Sequence, residues 1–575
     1  MPRSPMLGRL AALAQAQRSA DSLGIDVAEL TGRQAELAAS DRGLSRRELM
    51  KRAVVVGAGA TLAGQLVLNP GKAAAAGRAA PATQPTVAII GGGISGMTAA
   101  MRLKDAGFRN VTVYEASDRI GGRTYTRKND GFWDAGQWSE WGGELIDSNH
   151  KLIFTLCQRF GFGVTDLAWH SVSTNGAEDI LWFDNGYYPW SDMVADWKSG
   201  GVDKAVTRDI QTLPAYPWAY NDPNWTPAAR AIDNMSAYEW IETRIPGGHA
   251  SRLGKFIDVA YNIEYGEETT RQGATGLLSL LGFSNGNGAG AFWVYGKSDE
   301  RWKINGGNQQ IALAQADYLG WANIHLGWRL TALKSNANGS TTATFLVGGS
   351  SQTVTADRIV LAIPLGVMKK IKAAGGFNQA FGGNALKLGF IDALGFGANN
   401  KLQLQIADRF WAQPGPWGNS NGETFGDRGY QLAWDVTVGQ PGTRGILNNY
   451  TGGDVSRQLN PTKPFSDTSD ASSTVRATVR SAAQAFLGQV EPVFPGMTAK
   501  WTGKATLSAW HVNPDSYGAY SYWTPGYMQR YSTAEAPPVG GIHFAGEHTS
   551  SNFQGYIQGA AEEGQRAANE IVAAY

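Results

Sequence analysis

Between residues 85 and 120 short apolar runs alternate with glycine in an order that dictates local structure. Val87-Ala88-Ile89-Ile90 is an unbroken apolar run, the pattern of a strand buried on both faces. It enters Gly91-Gly92-Gly93-Ile94-Ser95-Gly96 directly. A helical stretch follows from Met97 to Ala106, with Gly107 as its stop. The segment "NVTVYEA" then returns as a second strand ending at Glu115, 19 residues after Gly96. Further along, the spacing predicts helices over Lys151 to Phe160 and about Gly555 to Ala573. A loop-to-helix element runs from Ile304 to Ala316, whose glycines suit a plain turn before a helix. "RLTALKSNANGSTTATFLV" predicts a hairpin turning at Asn338-Gly339. Leu402, Leu404 and Ile406 alternate with polar residues, which marks a strand carrying Lys401.

The first of these patterns carries chemistry. In strand–GxGxxG–helix–strand–acid order, Gly91 permits a tight turn, Gly93 lets backbone approach a pyrophosphate, and Gly96 lets helix and strand pack closely. Ile94 and Ser95 lie in the same cofactor-binding loop, the N-terminus of the helix that follows holds phosphate, and Glu115 can accept from ribose hydroxyls. This predicts an α/β, Rossmann-like dinucleotide domain without choosing NAD over FAD. Asp118-Arg119-Ile120-Gly121-Gly122-Arg123 follows at once, placing the Arg123 cation near the pyrophosphate. Trp141-Gly142-Gly143-Glu144 is a second glycine pair able to approach a ring closely.

Composition narrows the classes. The 575 residues suit about two to four domain-sized units. Fifty Lys and Arg against 49 Asp and Glu give no electrostatic reason to expect nucleic acid. One cysteine, Cys157, excludes an intramolecular disulfide framework and a cysteine-based metal site, and the seven histidines form no HExxH. The first 80 residues read as a leader. Arg46-Arg47 precedes an apolar run from Ala53 to Leu68 and A-x-A sites near Ala73 to Ala76, the order of a twin-arginine export signal. That run is too short and too rich in Gly and Ala for an integral membrane span. Within it "VVVGAGATLAG" imitates a dinucleotide loop, but Leu62 stands where the third glycine belongs. The expected location is periplasmic or secreted.

Taken together, "GGGISG…E…RIGGRTYT…WGGE", "ADRIVLAIP" (Ala356 to Pro364), "FAGEHT" (Phe544 to Thr549) and "GYIQGA" (Gly555 to Ala560) resemble the flavin-containing amine oxidase family, which includes monoamine, polyamine and L-amino acid oxidases. The resemblance spans about residues 85 to 575. It implies an FAD domain of discontinuous segments, 85–150, 304–384 and 526–575, and a substrate domain of 151–303 and 385–525 with a mixed sheet. Glu547 would bind the ribityl or pyrophosphate region, and the N-terminal part of the following helix, with Ile557, would face the flavin's pyrimidine edge. Leu330 would lie by the adenine. Lys401, ten residues before Trp411, matches the family lysine that holds a water at flavin N5 and assists the reaction with oxygen. Tyr556 and Tyr520 would be the two aromatic walls that flank the amine.

Two departures shape the expectation. Ala519 stands where some members carry the cysteine that attaches flavin, so noncovalent FAD is expected. Leu145 lies on the substrate side near the place where many L-amino acid oxidases have an arginine, which leaves Arg271 as a guess for a carboxylate partner. The expected activity is oxidative deamination of a primary amine or amino acid with O2, giving imine or aldehyde, ammonia and hydrogen peroxide. The alternatives are an L-amino acid oxidase giving a 2-oxo acid, and an FAD-dependent amine dehydrogenase that reduces a cytochrome. A homodimer is an allowed assembly.

Overall fold

A computed structural model describes residues 84–167, 178–284 and 298–575, with side chains to 282 in the middle stretch. The leader, with its Arg46-Arg47 pair and the imitation loop, lies outside the described residues.

The run Val87–Ile90 forms the central strand of a five-stranded parallel sheet, in the order Ile542–Phe544, Arg358–Leu361, Val87–Ile90, Val111–Tyr114, Ile324–His325. Its side chains divide between two cores. Val87 and Ile89 pack with the helices Ile94–Asp105, Gln309–Leu319 and Ile557–Ala574. Ala88 and Ile90 join a larger core with Tyr114, Phe345 and Phe544. Burial on both faces explains the unbroken apolar run, and each large aliphatic side chain so covered contributes about 1.5–3 kcal/mol. The strands of this sheet come from three remote stretches of chain, 87–114, 324–361 and 542–544.

The second body is a nine-stranded mixed sheet. Its core order is Phe465–Asp467, Trp501–Ala509, Asn399–Ile406, Gly445–Gly452, Leu432–Asp435, Gly418–Gly426, Glu178–Phe183. Only Gly418–Gly426 with Glu178–Phe183 pairs in parallel. The lysine strand Asn399–Ile406 is buried on both faces rather than on one. Leu402, Leu404 and Ile406 pack with Val479, Phe486 and Leu487 of the helix Ser473–Val490. The opposite face carries Asn399, Lys401, Gln403 and Gln405, all buried as well.

Local expectations compare closely with these elements. The helix Lys151–Phe160 ends at Gly161, which takes a left-handed conformation. The strands Trp328–Ser335 and Thr341–Val347 pair antiparallel across a turn at Gly339, φ +83°. The first helix begins three residues earlier than the pattern suggests, at Ile94. The loop before Gln309–Leu319 does not reach the central cavity: Gln309 donates to the Ile120 carbonyl at 2.8 Å and so buttresses the 120–124 loop. Among the described residues no helix is long and apolar enough to cross a membrane. Among the same residues no group of three or more His, Cys, Asp or Glu is placed to hold a metal ion.

Candidate active site

One cavity of about 440 Å³ runs from the glycine loop to the lysine strand. At its first end the turn after Val87–Ile90 requires Gly91: its φ is +109°, and an added Cβ would stand 2.4 Å from the Ala362 carbonyl oxygen. Gly96 sits deeper and does not line the cavity. A Cβ there would fall 1.9 Å from the Gly91 oxygen, so its role is close packing of helix on strand. Gly93, Ile94 and Ser95 do line the cavity. The helix Ile94–Asp105 has no side-chain cap and no acid in its first turn, which leaves its N-terminal donors for an anion. The Ser95 hydroxyl is buried with no protein partner at this wall, a further donor suited to phosphate.

A second helix N-terminus faces the same space. Ile557 and Ala560, at the start of Ile557–Ala574, line the cavity, and this helix also lacks a side-chain cap. The two helices touch through small residues, since a Cβ at Gly564 would fall 2.0 Å from the Ser95 oxygen. Glu115 lines the cavity with its carboxylate anchored by the Gly92 N–H at 2.6 Å and by the Ser117 N–H at 2.8 Å. Leu330 lies further along that wall, at the irregularity in its strand. Two unsatisfied helix ends, an orphan hydroxyl, an anchored acid and glycine backbone on one cavity fit a dinucleotide diphosphate.

Arg123 and Glu547 also line the cavity, but they are joined to each other. Arg123 Nη1 donates to Glu547 Oε1 and to the Ala519 carbonyl, both at 2.8 Å. Glu547 Oε2 accepts from Ser521 Oγ at 2.7 Å and from the Gly555 N–H at 2.9 Å. Burial would raise this carboxyl, yet Arg123 and Ser521 hold it below the ordinary glutamate value. The pair therefore ties the 121–124 loop to the two tyrosine-bearing segments.

At the far end Gly142 and Gly143 line the cavity, and Glu144 turns behind it. Lys401 lines the cavity and donates to Glu144 Oε2 at 2.8 Å. Lys303, from the strand Trp302–Ile304, stands 3.1 Å from the other oxygen of Glu144. Burial alone would raise Glu144, but the two lysines hold it down to about 2. Burial drives Lys401 below the usual lysine range, against the pull of Glu144. Four residues earlier Glu140 behaves oppositely. Burial pushes it up to about 8, although the Asn308 N–H donates to it at 2.7 Å.

Tyr520 and Tyr556 meet on this cavity. Tyr520 is buried, and its hydroxyl is committed: it donates to the Ile263 carbonyl at 2.9 Å and pairs with the Tyr450 hydroxyl at 2.8 Å. Tyr556 is half-buried, with its ring edge-on to His150 at 5.3 Å. Leu145 is buried and does not line the cavity. Arg271 lies away from it, bonded to Glu267 at 2.8 Å and Asp454 at 2.5 Å. Glu144 faces Lys401, and the next residue, Leu145, is buried away from the cavity. Sequence reading missed Lys303, Tyr450 and Trp510; Trp510 lines the cavity and donates from Nε1 to the Trp141 carbonyl at 2.8 Å. A lone lysine between Trp302 and Ile304 was the available signal for the first.

A cavity with these two ends defines a dinucleotide-dependent oxidoreductase with a basic, aromatic reaction chamber. The family model described as flavin containing amine oxidoreductase matches residues 94–572, and the chain belongs to that family. It is a flavin-dependent oxidoreductase acting on CH–NH bonds, and its cofactor is FAD. The nicotine dehydrogenase of Pseudomonas putida (strain DSM 28022 / S16) is 25% identical over 550 residues, covering 92% of this chain and 98% of that protein. The probable flavin-containing monoamine oxidase A of Dictyostelium discoideum is 24% identical over 501 residues, covering 84% and 97%. Among solved structures, cyclohexylamine oxidase from Brevibacterium oxydans IH-35A matches with a TM-score of 0.67 at 22% identity, over 86% of this chain and 99% of that one. Wild-type putrescine oxidase bound to putrescine matches with a TM-score of 0.61 at 20% identity, over 85% and 99%. These two likenesses establish the shared fold.

Proposed function

We propose that this protein is an exported amine oxidase that deaminates a small primary amine with O2, yielding imine or aldehyde, ammonia and hydrogen peroxide. The observation that carries the reading is the convergence of Lys401, Tyr450, Tyr520 and Tyr556 on the cavity that begins at the glycine loop. Bound FAD would supply the redox chemistry, as the acceptor for a hydride equivalent from the carbon next to nitrogen. The chain's own residues do the rest. Gly91, Gly93, Ile94, Ser95 and Glu115 hold the adenosine and diphosphate side; Leu330, Gly142, Gly143 and Ile557 complete the seat. Arg123 and Glu547 lock the loops that close over it. Tyr520 and Tyr556 offer ring faces to the amine, and the bond from Tyr450 fixes the Tyr520 ring so that it cannot swing away. Lys401 provides the basic group for handling protons and oxygen.

An amine is favoured over an amino acid because the arginines on the cavity wall are already engaged. Arg119 donates to the Gly122 carbonyl at 2.6 Å, Arg123 to Glu547, and Arg329 to Asp515 at 2.5 Å. A substrate carboxylate would have to compete with these partners for a bidentate grip. FAD is held noncovalently: Ala519 offers no sulfur, and Cys157 is buried in the core behind the dinucleotide helices, where burial pushes its thiol up to about 11. Acid precipitation should leave the yellow colour in the supernatant.

The second reading, a dehydrogenase, draws support from the likeness to nicotine dehydrogenase. A panel of alkylamines, nicotine-like cyclic amines and L-amino acids, followed by peroxide release and by flavin bleaching without oxygen, separates the readings. Bleaching with peroxide supports the oxidase, and bleaching without it supports the dehydrogenase. Lys401→Met should slow flavin reoxidation on the order of 100-fold while changing reduction far less. Export by the twin-arginine route is tested by Arg46→Lys with Arg47→Lys, which should hold the precursor in the cytoplasm.

A further inference from the structure

Two amines share one carboxylate behind the cavity wall, and they are not equivalent. Lys303, Glu144 and Lys401 are 4%, 1% and 3% exposed, so water does not screen their charges. Lys303 has two oxygen acceptors, Glu144 Oε1 and the Val436 carbonyl. Lys401 has one, Glu144 Oε2, and its other side meets the cavity and the Trp434 ring, whose centroid lies 5.4 Å from Nζ. The charged or titratable groups that face Lys401 are Glu144, Lys303 and Glu140.

Glu140 keeps its proton at neutral pH because burial holds its carboxyl up at about 8. That leaves a single negative charge, on Glu144. Protonating both lysines would strand a net positive charge in a dry site, which costs several kcal/mol. The cluster is neutral when one amine lacks its proton. The ammonium belongs where two oxygens surround it, and the neutral amine where one oxygen and an open wall do.

We propose that Lys303 is a positioning residue for Lys401: it keeps the cluster's ammonium on itself, between Glu144 and the Val436 carbonyl, and leaves Lys401 as a neutral amine facing the cavity. Burial lowers Lys401 in the same sense. A neutral Lys401 puts no fixed positive charge on the wall that an incoming alkylammonium must approach. This consequence rests on the amine oxidation proposed above; the placement of the proton does not.

The test reads the lysines directly and needs no turnover. Trace reductive methylation with formaldehyde, followed by peptide mass spectrometry across pH, gives each lysine's labelling midpoint, in protein with and without FAD. The exposed Lys334 is the internal reference. Lys401 should become reactive at least about one pH unit below Lys334, and below Lys303 as well. Lys303→Met should move the Lys401 midpoint up by about one unit or more, since a neighbouring cation is removed, and Lys303→Arg should return it to the wild-type value. Glu144→Gln should move it down. A Lys401 that labels with Lys334, stays unlabelled at every pH both with and without FAD, or ignores Lys303→Met overturns the proposal. Should a variant fail to fold, the wild-type order of Lys401, Lys303 and Lys334 decides the matter. If no amine is oxidised but these midpoints hold, the proton assignment stands and only the substrate reading falls.

Discussion

The loop Gly91–Gly96 and the cluster Glu144–Lys303–Lys401 lie at opposite ends of one cavity, and they are built on opposite principles. The loop is local. Six consecutive residues make the turn and open the helix, and at Gly91, Gly92 and Gly96 the fold requires the absence of a side chain. The cluster is remote. Its members come from three segments, the first and last 257 residues apart, and what it requires is charge balance in a dry interior. Gly91 and Gly96 tolerate no added Cβ, whereas the cluster tolerates no lost partner. Each can be broken in its own way.

The largest effect is expected from Glu144→Ala. It leaves two buried amines without their shared carboxylate and should cost about 3–5 kcal/mol, read as a lower urea midpoint. Gly96→Ala attacks the other end. Its Cβ would meet the Gly91 oxygen at 1.9 Å, so strand and helix must separate. A loss of about 1–3 kcal/mol is expected, with weaker FAD retention on dialysis while the lysine midpoints stay put.

The cluster also has a pH signature, and the two glutamates give opposite signs. Glu140 is raised from its ordinary 4.5 to about 8. The unfolded chain therefore loses this proton first, and stability falls as pH rises between those values. Glu140→Gln removes that penalty and should gain on the order of 2 kcal/mol at pH 9 but nothing at pH 4, by urea titration. Glu144 is depressed from 4.5 to about 2. Its contribution is present above 4.5 and is lost as pH falls toward 2. The smallest effect is expected at Tyr450→Phe. Loss of one buried hydrogen bond to Tyr520 costs about 1 kcal/mol, and the loosened ring should raise KM for the amine more than it lowers kcat.

The same contrast explains what the sequence disclosed. The glycine loop, both flanking strands and the helix were legible because each is decided by neighbours within a few residues. The helix at Lys151–Phe160 and the turn at Gly339 were legible for the same reason. The lysine strand was legible as a strand, but its alternation concealed a second buried face. Polar residues at Asn399, Gln403 and Gln405 usually signal solvent; here Gln403 bonds the Glu140 carbonyl and Thr506 at 3.0 and 3.1 Å, and Asn399 donates to the Ile263 carbonyl at 2.9 Å. Lys303 was not legible, because a lysine in a three-residue strand has no pattern that announces a partner 159 residues away in the chain. Leu145 was misplaced because a loose alignment does not fix which of two neighbouring residues faces the cavity side; here Glu144 meets Lys401 and Leu145 is buried away from the cavity. Arg271 was a choice by charge alone, and two nearby carboxylates already hold it.

The account turns on a flavin whose reactive face opens into a chamber for amines. The most direct measurement mixes FAD-loaded protein with the amine panel in the absence of oxygen and follows the visible flavin band. The account predicts that at least one alkylamine bleaches the band and that its product is an imine or aldehyde. A protein that binds FAD tightly, keeps its colour with every amine and bleaches only with substrates lacking nitrogen would contradict it.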